Sequence, residues 1–141
     1  MSEKAAVLLV DDEPEHVQWL VEYLEARNTV VHIATSLPTA LAALAAQTFR
    51  MVIADMNIPA NEALTPSVLA SAPLASRYPG LAVAITARNS GLGAHAVLAY
   101  TVHDDDELDA ALTKLNCRYV LKGRPRAIKQ VLEKSFAPAP F

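Results

Sequence analysis

The chain has 141 residues, a formal net charge of −3 and a single cysteine. This length fits one domain, the negative charge gives no support for a nucleic-acid-binding surface, and one cysteine cannot form an internal disulfide. The first twelve residues contain no long apolar core, so the sequence predicts neither a signal peptide nor a membrane anchor. We expect a cytoplasmic protein with one domain over residues 1–136 and a disordered tail at 137–141.

Short apolar runs alternate with helical stretches in the first part of the chain. Residues 7–10 (VLLV) are typical of a strand buried on both faces. Between residues 14 and 27, apolar residues recur at helical spacing, which predicts an amphipathic helix with Pro14 in its first turn. The same alternation predicts a second strand at 30–34, a helix from about residue 36 and a third strand at 51–54.

The second part of the chain continues this alternation. We predict a helical stretch at 62–77, interrupted by two prolines, and a fourth strand at 81–86 (LAVAIT). The remaining predicted elements are a helix around 108–115, a strand at 118–121 and a final helix around 128–132. Strands that alternate with helices indicate right-handed βαβ units, and thus an α/β protein whose parallel sheet is covered on both faces.

Charged and hydroxyl side chains follow the predicted strands. Asp11 and Asp12 follow the first strand, Asp55 follows the third, Thr86 ends the fourth and Lys122 follows the last. Ligands of such sheets bind beyond the carboxyl ends of the strands. Two carboxylates about 4 Å apart repel by about 4 kcal/mol at an effective dielectric near 20. A divalent cation would offset this repulsion, and carboxylate oxygens without nearby histidine or cysteine favour Mg²⁺ over Zn²⁺.

These residue types also suit phosphoryl transfer. A carboxylate oxygen of Asp55 could attack a phosphoryl group in line and form an aspartyl phosphate. Lys122 would supply a fixed positive charge, and Thr86 a hydroxyl donor to the bound phosphoryl group. We therefore predict that Asp55 is the phosphoacceptor.

Four motifs occur in order along the chain: VLLVDDEP, VIADMNIP, ITA and YVLK. With these motifs, the chain resembles the receiver domains of response regulators in two-component signalling (the CheY-like family). The resemblance implies a flavodoxin-like, doubly wound sheet of five parallel strands in the order 2-1-3-4-5. It also implies a signalling phosphoacceptor rather than an enzyme, which takes its phosphoryl group from a histidine kinase or a phosphotransfer protein and then changes conformation.

Individual site roles follow from the same resemblance. It implies that Asp12 and Asp55 ligate Mg²⁺ directly, that Asp11 acts largely through water, and that the main-chain carbonyl of Asn57 completes the protein ligands. Tyr119 matches the aromatic switch residue of the family. Because few residues follow the last predicted strand, we expect a stand-alone receiver without an output domain. A homodimer that forms through the last helices is an open alternative.

The chain departs from the family pattern after Lys122. Receivers usually have proline directly after this lysine, whereas this chain has Gly123, so the expected cis Lys-Pro bond is absent. Glycine leaves the loop freer, which weakens the prediction of where the Lys122 ammonium lies.

A second departure is the spacing from Thr86 to Lys122, which is longer than the family normally shows. We place the extra chain within about 87–103, where it could add a strand. Thr101 is the rival for the hydroxyl role, because its spacing to Lys122 is usual; LAVAIT would then belong to the insertion. In a third version the receiver ends near Leu115, Tyr100 replaces the lysine and residues 117–136 form an appendix.

These departures leave a second functional hypothesis open. A degenerate receiver would keep the fold but act as a protein-interaction module without phosphorylation. A phosphatase of the haloacid dehalogenase type is disfavoured because its Asp-x-Asp-Thr pattern is missing after the first strand. The sequence also contains no glycine-rich phosphate-binding loop of the Walker type, which argues against an NTPase.

Overall fold

A computed structural model describes residues 5–61, 63–93 and 96–136; the predicted tail at 137–141 lies outside them. Five parallel strands form one sheet in the order β2-β1-β3-β4-β5, which confirms the predicted architecture. The strands are β1 (Ala5–Val10), β2 (Thr29–Ala34), β3 (Met51–Ala54), β4 (Val97–Thr101) and β5 (Arg118–Leu121).

Helices connect the strands and cover both faces of the sheet. The first crossover begins with a short 3₁₀ helix at Pro14–Val17, which continues as α1. The α-helices of the described residues are α1 (Gln18–Glu25), α2 (Leu37–Ala46), α3 (Pro66–Ser71), α4 (Gly80–Asn89), α5 (Asp106–Lys114) and α6 (Pro125–Phe136). Among the described residues, no helix is long and apolar enough to cross a membrane.

Side-chain alternation along the strands divides the core into two layers. Leu8, Val52 and Ala99 face one layer, which also contains buried residues of α2, α4 and α5. The neighbouring residues Leu9 and Ile53 face the other layer, together with buried residues of α1 and α6. Within each strand, successive residues therefore face opposite layers of the core, and this also decides which side chains reach the carboxyl edge.

The predicted strand at 81–86 is wrong, because LAVAIT lies inside helix α4. The helix begins after Pro79 and continues through the polar residues Arg88 and Asn89. Gly91 follows with φ of 102°, and its N–H donates to the carbonyl of Arg88. A glycine in the left-handed conformation is a common helix stop. The fourth strand is instead the run VLAYT at Val97–Thr101, which is fully buried.

The extra chain also lies elsewhere than predicted. The described residues contain no sixth strand, and the part of 87–103 that is described forms the end of α4 and β4. The crossover from β3 to β4 instead contains an additional helix, α3, and a 3₁₀ helix at Pro73–Ser76. We call residues 63–79 the inserted segment. The predicted helical stretch at 62–77 is thus two short helices, and its first residue, Glu62, lies outside the described residues.

Gly80 closes the base of the inserted segment. Its N–H donates to the carbonyl of Met56 at 2.9 Å. A Cβ at this position would lie 2.1 Å from the carbonyl oxygen of Asp55 and 2.6 Å from Cα of Met56. Only glycine allows the two backbones to approach this closely, so the chain leaves and returns to the sheet next to Asp55.

Candidate functional site

Three carboxylates meet at the carboxyl edge of the sheet. Asp11 and Asp12 follow β1 and Asp55 follows β3; one ligand oxygen from each lies within 4.8 Å of the others. Asp11 and Asp55 are buried, with 2% and 8% of their surface exposed, whereas Asp12 is exposed. The structure therefore brings together the three carboxylates that the sequence predicted as a cluster.

Backbone hydrogen bonds hold the two buried aspartates. The N–H of Asp11 donates to the carbonyl of Ala34, and the N–H of Asp55 donates to the carbonyl of Val10. Each residue thus continues its strand by one position. Their Oδ1 atoms also accept hydrogen bonds: that of Asp11 from the N–H of Glu13 at 2.8 Å, and that of Asp55 from the N–H of Asn57 at 3.2 Å. The carboxylates are consequently fixed in place before any ligand binds.

Lys122 lies between the buried carboxylates. Its Nζ donates to Oδ2 of Asp11 at 2.6 Å and to Oδ2 of Asp55 at 3.0 Å. Burial lowers the pKa of Lys122, but the hydrogen bonds to the two aspartates outweigh it and hold the pKa above its ordinary value. The ammonium is therefore charged at neutral pH. Lys122 follows β5, since its N–H donates to the carbonyl of Thr101 at 2.8 Å.

The donor set fits a divalent cation. Three carboxylates and one ammonium leave two uncompensated negative charges in a cleft with a volume of about 460 Å³. Oxygen ligands from one or two carboxylates, completed by water, are the usual environment of Mg²⁺ in proteins. Asn57, whose carbonyl was predicted as a ligand, also lines this cleft and is exposed.

Neither predicted threonine reaches the cleft. Thr86 lies on α4 rather than at a strand end, and it does not line the cleft. Thr101 does end β4, as the rival version predicted, but it is fully buried and alternates onto the same face as Ala99. The side chains on the cleft side are Tyr100 of β4 and Val102, the first residue after β4. Val102 is 67% exposed and carries no hydroxyl.

The version in which Tyr100 replaces the lysine is also wrong. Lys122 occupies the end of β5 next to the aspartates, and Arg118–Leu121 pairs with β4 as the fifth strand rather than forming part of an appendix. Tyr100 is 4% exposed, and its ring centre lies 6.0 Å from Nζ of Lys122. Sequence reasoning did not predict Tyr100 beside the lysine; its position on the cleft face of β4 would have required the correct strand.

Tyr119 lies on the opposite side of the sheet from Lys122. It is half-buried on β5, opposite Ala99, and its hydroxyl donates to the carbonyl of His103 in the loop that follows β4. Burial raises the pKa of Tyr119. The predicted switch residue thus contacts the loop that forms one wall of the cleft, since Val102 and His103 line the cleft.

The inserted segment is attached to the same loop. Oδ2 of Asp105 accepts hydrogen bonds from Arg77 and from the hydroxyl of Tyr78, each at 2.6 Å. Oδ1 of Asp105 accepts from the N–H of Glu107 and caps the start of α5. The rings of Tyr78 and His103 pack edge to face at 5.4 Å. One carboxylate therefore joins the inserted segment, the loop after β4 and helix α5.

The chain is similar to known proteins in its structure. No protein-family model and no curated protein matches the chain. Many solved structures do match. The non-phosphorylated receiver domain of HemR from Leptospira biflexa is 19% identical, with 98% of each chain covered and a TM-score of 0.71. The chain has the receiver-domain fold.

Two further receivers match over almost their full length. A CheY-like receiver domain protein from Methanospirillum hungatei is 18% identical, with 94% of each chain covered and a TM-score of 0.70. The response regulator TrrA from Thermotoga maritima, in complex with Mg²⁺-BeF, is 21% identical, with 94% of this chain and 99% of that chain covered and a TM-score of 0.67. The similarity to the receiver fold thus extends over the whole sheet and its helices.

Proposed function

We propose that the chain is a phosphoacceptor receiver domain in which Asp55 accepts a phosphoryl group. The observation that carries this proposal is the position of Lys122, whose ammonium contacts both buried carboxylates while the exposed Asp12 lies within 4.8 Å of them. A nucleophilic carboxylate, a fixed cation and a set of oxygen ligands at one strand edge are what in-line phosphoryl transfer requires.

The residues have separate roles in the proposed reaction. A carboxylate oxygen of Asp55 forms a bond to phosphorus, and the bond between phosphorus and the donor's imidazole nitrogen breaks; the imidazole then takes a proton. Lys122 neutralises charge on the transferring oxygens. Asp11, Asp12, Asp55 and the carbonyl of Asn57 would hold Mg²⁺, which supplies Lewis-acid stabilisation of those oxygens when bound.

Partners and output follow from the same proposal. The phosphoryl donor is a histidine kinase or a phosphotransfer protein, as for receivers in general. Signalling proceeds by conformational change, with Tyr119 as the switch residue, because its hydroxyl contacts the loop that lines the cleft. The protein is a signalling phosphoacceptor, not an enzyme with its own turnover, and it acts in the cytoplasm.

The proposal is tested with Mg²⁺ and acetyl phosphate as a small phosphodonor. Intact mass spectrometry is expected to show one added phosphoryl group on the wild type and none on Asp55→Asn. Asp109→Asn is the matched control, because it removes an exposed carboxylate on α5 and should be phosphorylated like the wild type. Absence of phosphate from the wild type, or equal phosphorylation of Asp55→Asn, would contradict the proposal.

A degenerate receiver is the second candidate, and one observation favours it. The cleft lacks a threonine or serine hydroxyl from β4, because Thr101 faces the opposite layer and Val102 stands at the cleft. In this version the fold acts as a protein-interaction module. A wild type that binds neither Mg²⁺ nor phosphate, while remaining folded, would support it over the phosphoacceptor.

A further inference from the structure

An apolar groove lies between the inserted segment and the helices α4 and α5. Its volume is about 430 Å³, and its lining includes Leu74 of the inserted segment, Leu81 and Ile85 of α4, and Leu115 at the end of α5. Three of these side chains, Leu74, Ile85 and Leu115, are partly exposed. Contiguous apolar surface of this kind marks a site of interaction. The groove is therefore a surface that a second protein segment can cover.

The α5 wall of this groove has a charge at each end. Glu107 and Lys114 both line the groove and are exposed, and they lie about two turns, or about 10.5 Å, apart along the helix. Ala110 and Ala111 lie between them on the same wall, and such small side chains allow another helix to approach closely. Lys114 forms no ion pair with any residue that the structure describes, and Glu107 lies 3.8 Å from Arg77. Both charges are thus available to a partner.

This arrangement of charges is complementary to itself. An acid near the start of a helix and a base near its end suit the helix dipole, but the dipole does not require that they line one groove. Asp106 and Asp109 also belong to the first turn of α5, yet they do not line it. If a second α5 lies antiparallel to the first, Glu107 of each copy faces Lys114 of the other, and the alanines meet in the middle. A parallel pair would instead place glutamate against glutamate.

We propose that the groove is a homodimer interface, in which α5 of a second copy lies antiparallel to α5 of the first. Two reciprocal ion pairs between Glu107 and Lys114 set the orientation, and the close approach covers Leu74 and Ile85 of both copies. Because each copy contributes one short helix and one groove, the interface is small and the dimer is a weak, micromolar one. Helix α5 belongs to the opposite core layer from α6, so this interface does not involve the last helix. The dimer requires no phosphorylation of Asp55.

A charge exchange tests the proposal on the full chain by sedimentation equilibrium. The wild type is expected to dimerise as its concentration rises. Glu107→Lys and Lys114→Glu should each raise the dissociation constant about ten-fold, since each loses two exposed ion pairs and gains two like-charge contacts. An equimolar mixture of the two variants should again dimerise with about the wild-type constant. One chain then has two positive charges at the groove and the other has two negative charges.

Two control variants make the same charge changes outside the groove. Asp109→Lys on α5 and Lys134→Glu on α6 alter exposed residues that do not line it, and both should dimerise like the wild type. Thermal unfolding of each variant checks that the fold is kept. A monomeric wild type, variants at Glu107 and Lys114 that dimerise like the controls, or a mixture that stays monomeric would overturn the proposal.

Discussion

The two halves of the sheet differ in how strongly their sequences determine the cleft. The side formed by β1 and β3 supplies all three carboxylates, and two of them, Asp11 and Asp55, directly follow an apolar strand and are held by backbone hydrogen bonds. The side formed by β4 and β5 supplies one lysine, beside a tyrosine and a valine where a hydroxyl was expected. In the acidic half, the main chain at the strand ends positions the carboxylates. In the other half, the groups at the cleft depend on which side chains of β4 and β5 face it.

The largest expected effect concerns the backbone of the acidic half. Gly80→Ala should lower the free energy of unfolding by about 3 kcal/mol or more, because the new methyl group would overlap the main chain at Asp55 and Met56. Urea unfolding measures this change. Gly93→Ala is the matched control, since a Cβ there meets nothing within 4 Å. Equal stability of the two variants would show that the close approach next to Asp55 is not required.

Removal of the Lys122 ammonium tests the comparison between the two halves of the sheet. Lys122→Ala should bind Mg²⁺ more tightly than the wild type, because the ammonium no longer occupies the oxygens of Asp11 and Asp55. The gain in Tm on adding Mg²⁺ should therefore be larger for the variant. At the same time, phosphorylation by acetyl phosphate should become slower by an order of magnitude or more. A variant with a smaller Mg²⁺ response would contradict competition between the two cations.

Substitutions at Thr101 and Val102 test which of these neighbouring side chains faces the cleft at the end of β4. Val102→Thr should speed phosphorylation of Asp55 several-fold, since it places a hydroxyl in the cleft. Thr101→Val should change this rate less, because Thr101 is fully buried and does not line the cleft; its hydroxyl accepts from the N–H of His103 at 3.4 Å. Rates measured with acetyl phosphate decide the matter. The reverse pattern would mean that Thr101, not position 102, faces the acceptor.

The smallest effect is expected at Asp105, outside the cleft. A hydrogen bond from Tyr78 is the main cause that lowers the pKa of Asp105, with backbone hydrogen bonds and Arg77 adding to it. A carboxyl with a lowered folded-state pKa stabilises the protein above its unfolded pKa and loses this effect as the pH falls through the folded value. Asp105→Asn should therefore lower Tm slightly at pH 7, and the difference should shrink in acid. A difference independent of pH would contradict an ionic role.

The sequence was sufficient for the acidic half because its signals agree with one another. Asp11 and Asp55 each follow an apolar run that is too short for a helix. The run predicts a strand, and the aspartate after it is then predicted to lie at the carboxyl edge of the sheet, where ligands bind. LAVAIT and VLAYT do not differ in this way, since both are apolar runs of similar length. Only LAVAIT is followed by the polar residues Arg88 and Asn89 and by a helix stop at Gly91. These signals indicate a helix over LAVAIT and leave VLAYT as the fourth strand.

Other features were beyond the reach of sequence patterns. The spacing between Thr101 and Lys122 suits the family, yet spacing alone does not tell which layer a β4 side chain faces. The placement of the Tyr100 ring beside the Lys122 ammonium depends on the register between β4 and β5. Asp105 caps the start of α5, but its bonds to Arg77 and Tyr78 form only because the inserted segment folds back onto the loop after β4.

The closed base of the inserted segment has a practical consequence for protein engineering. Because one hydrogen bond from Gly80 to Met56 brings the two ends together, the length of the intervening peptide has little influence on the sheet, and each doubling of a flexible loop costs only about 0.6 kcal/mol. A fluorescent peptide grafted in place of α3 would lie in the crossover that begins next to Asp55. Such a graft would convert the molecule into an optical reporter of its own acidic pocket.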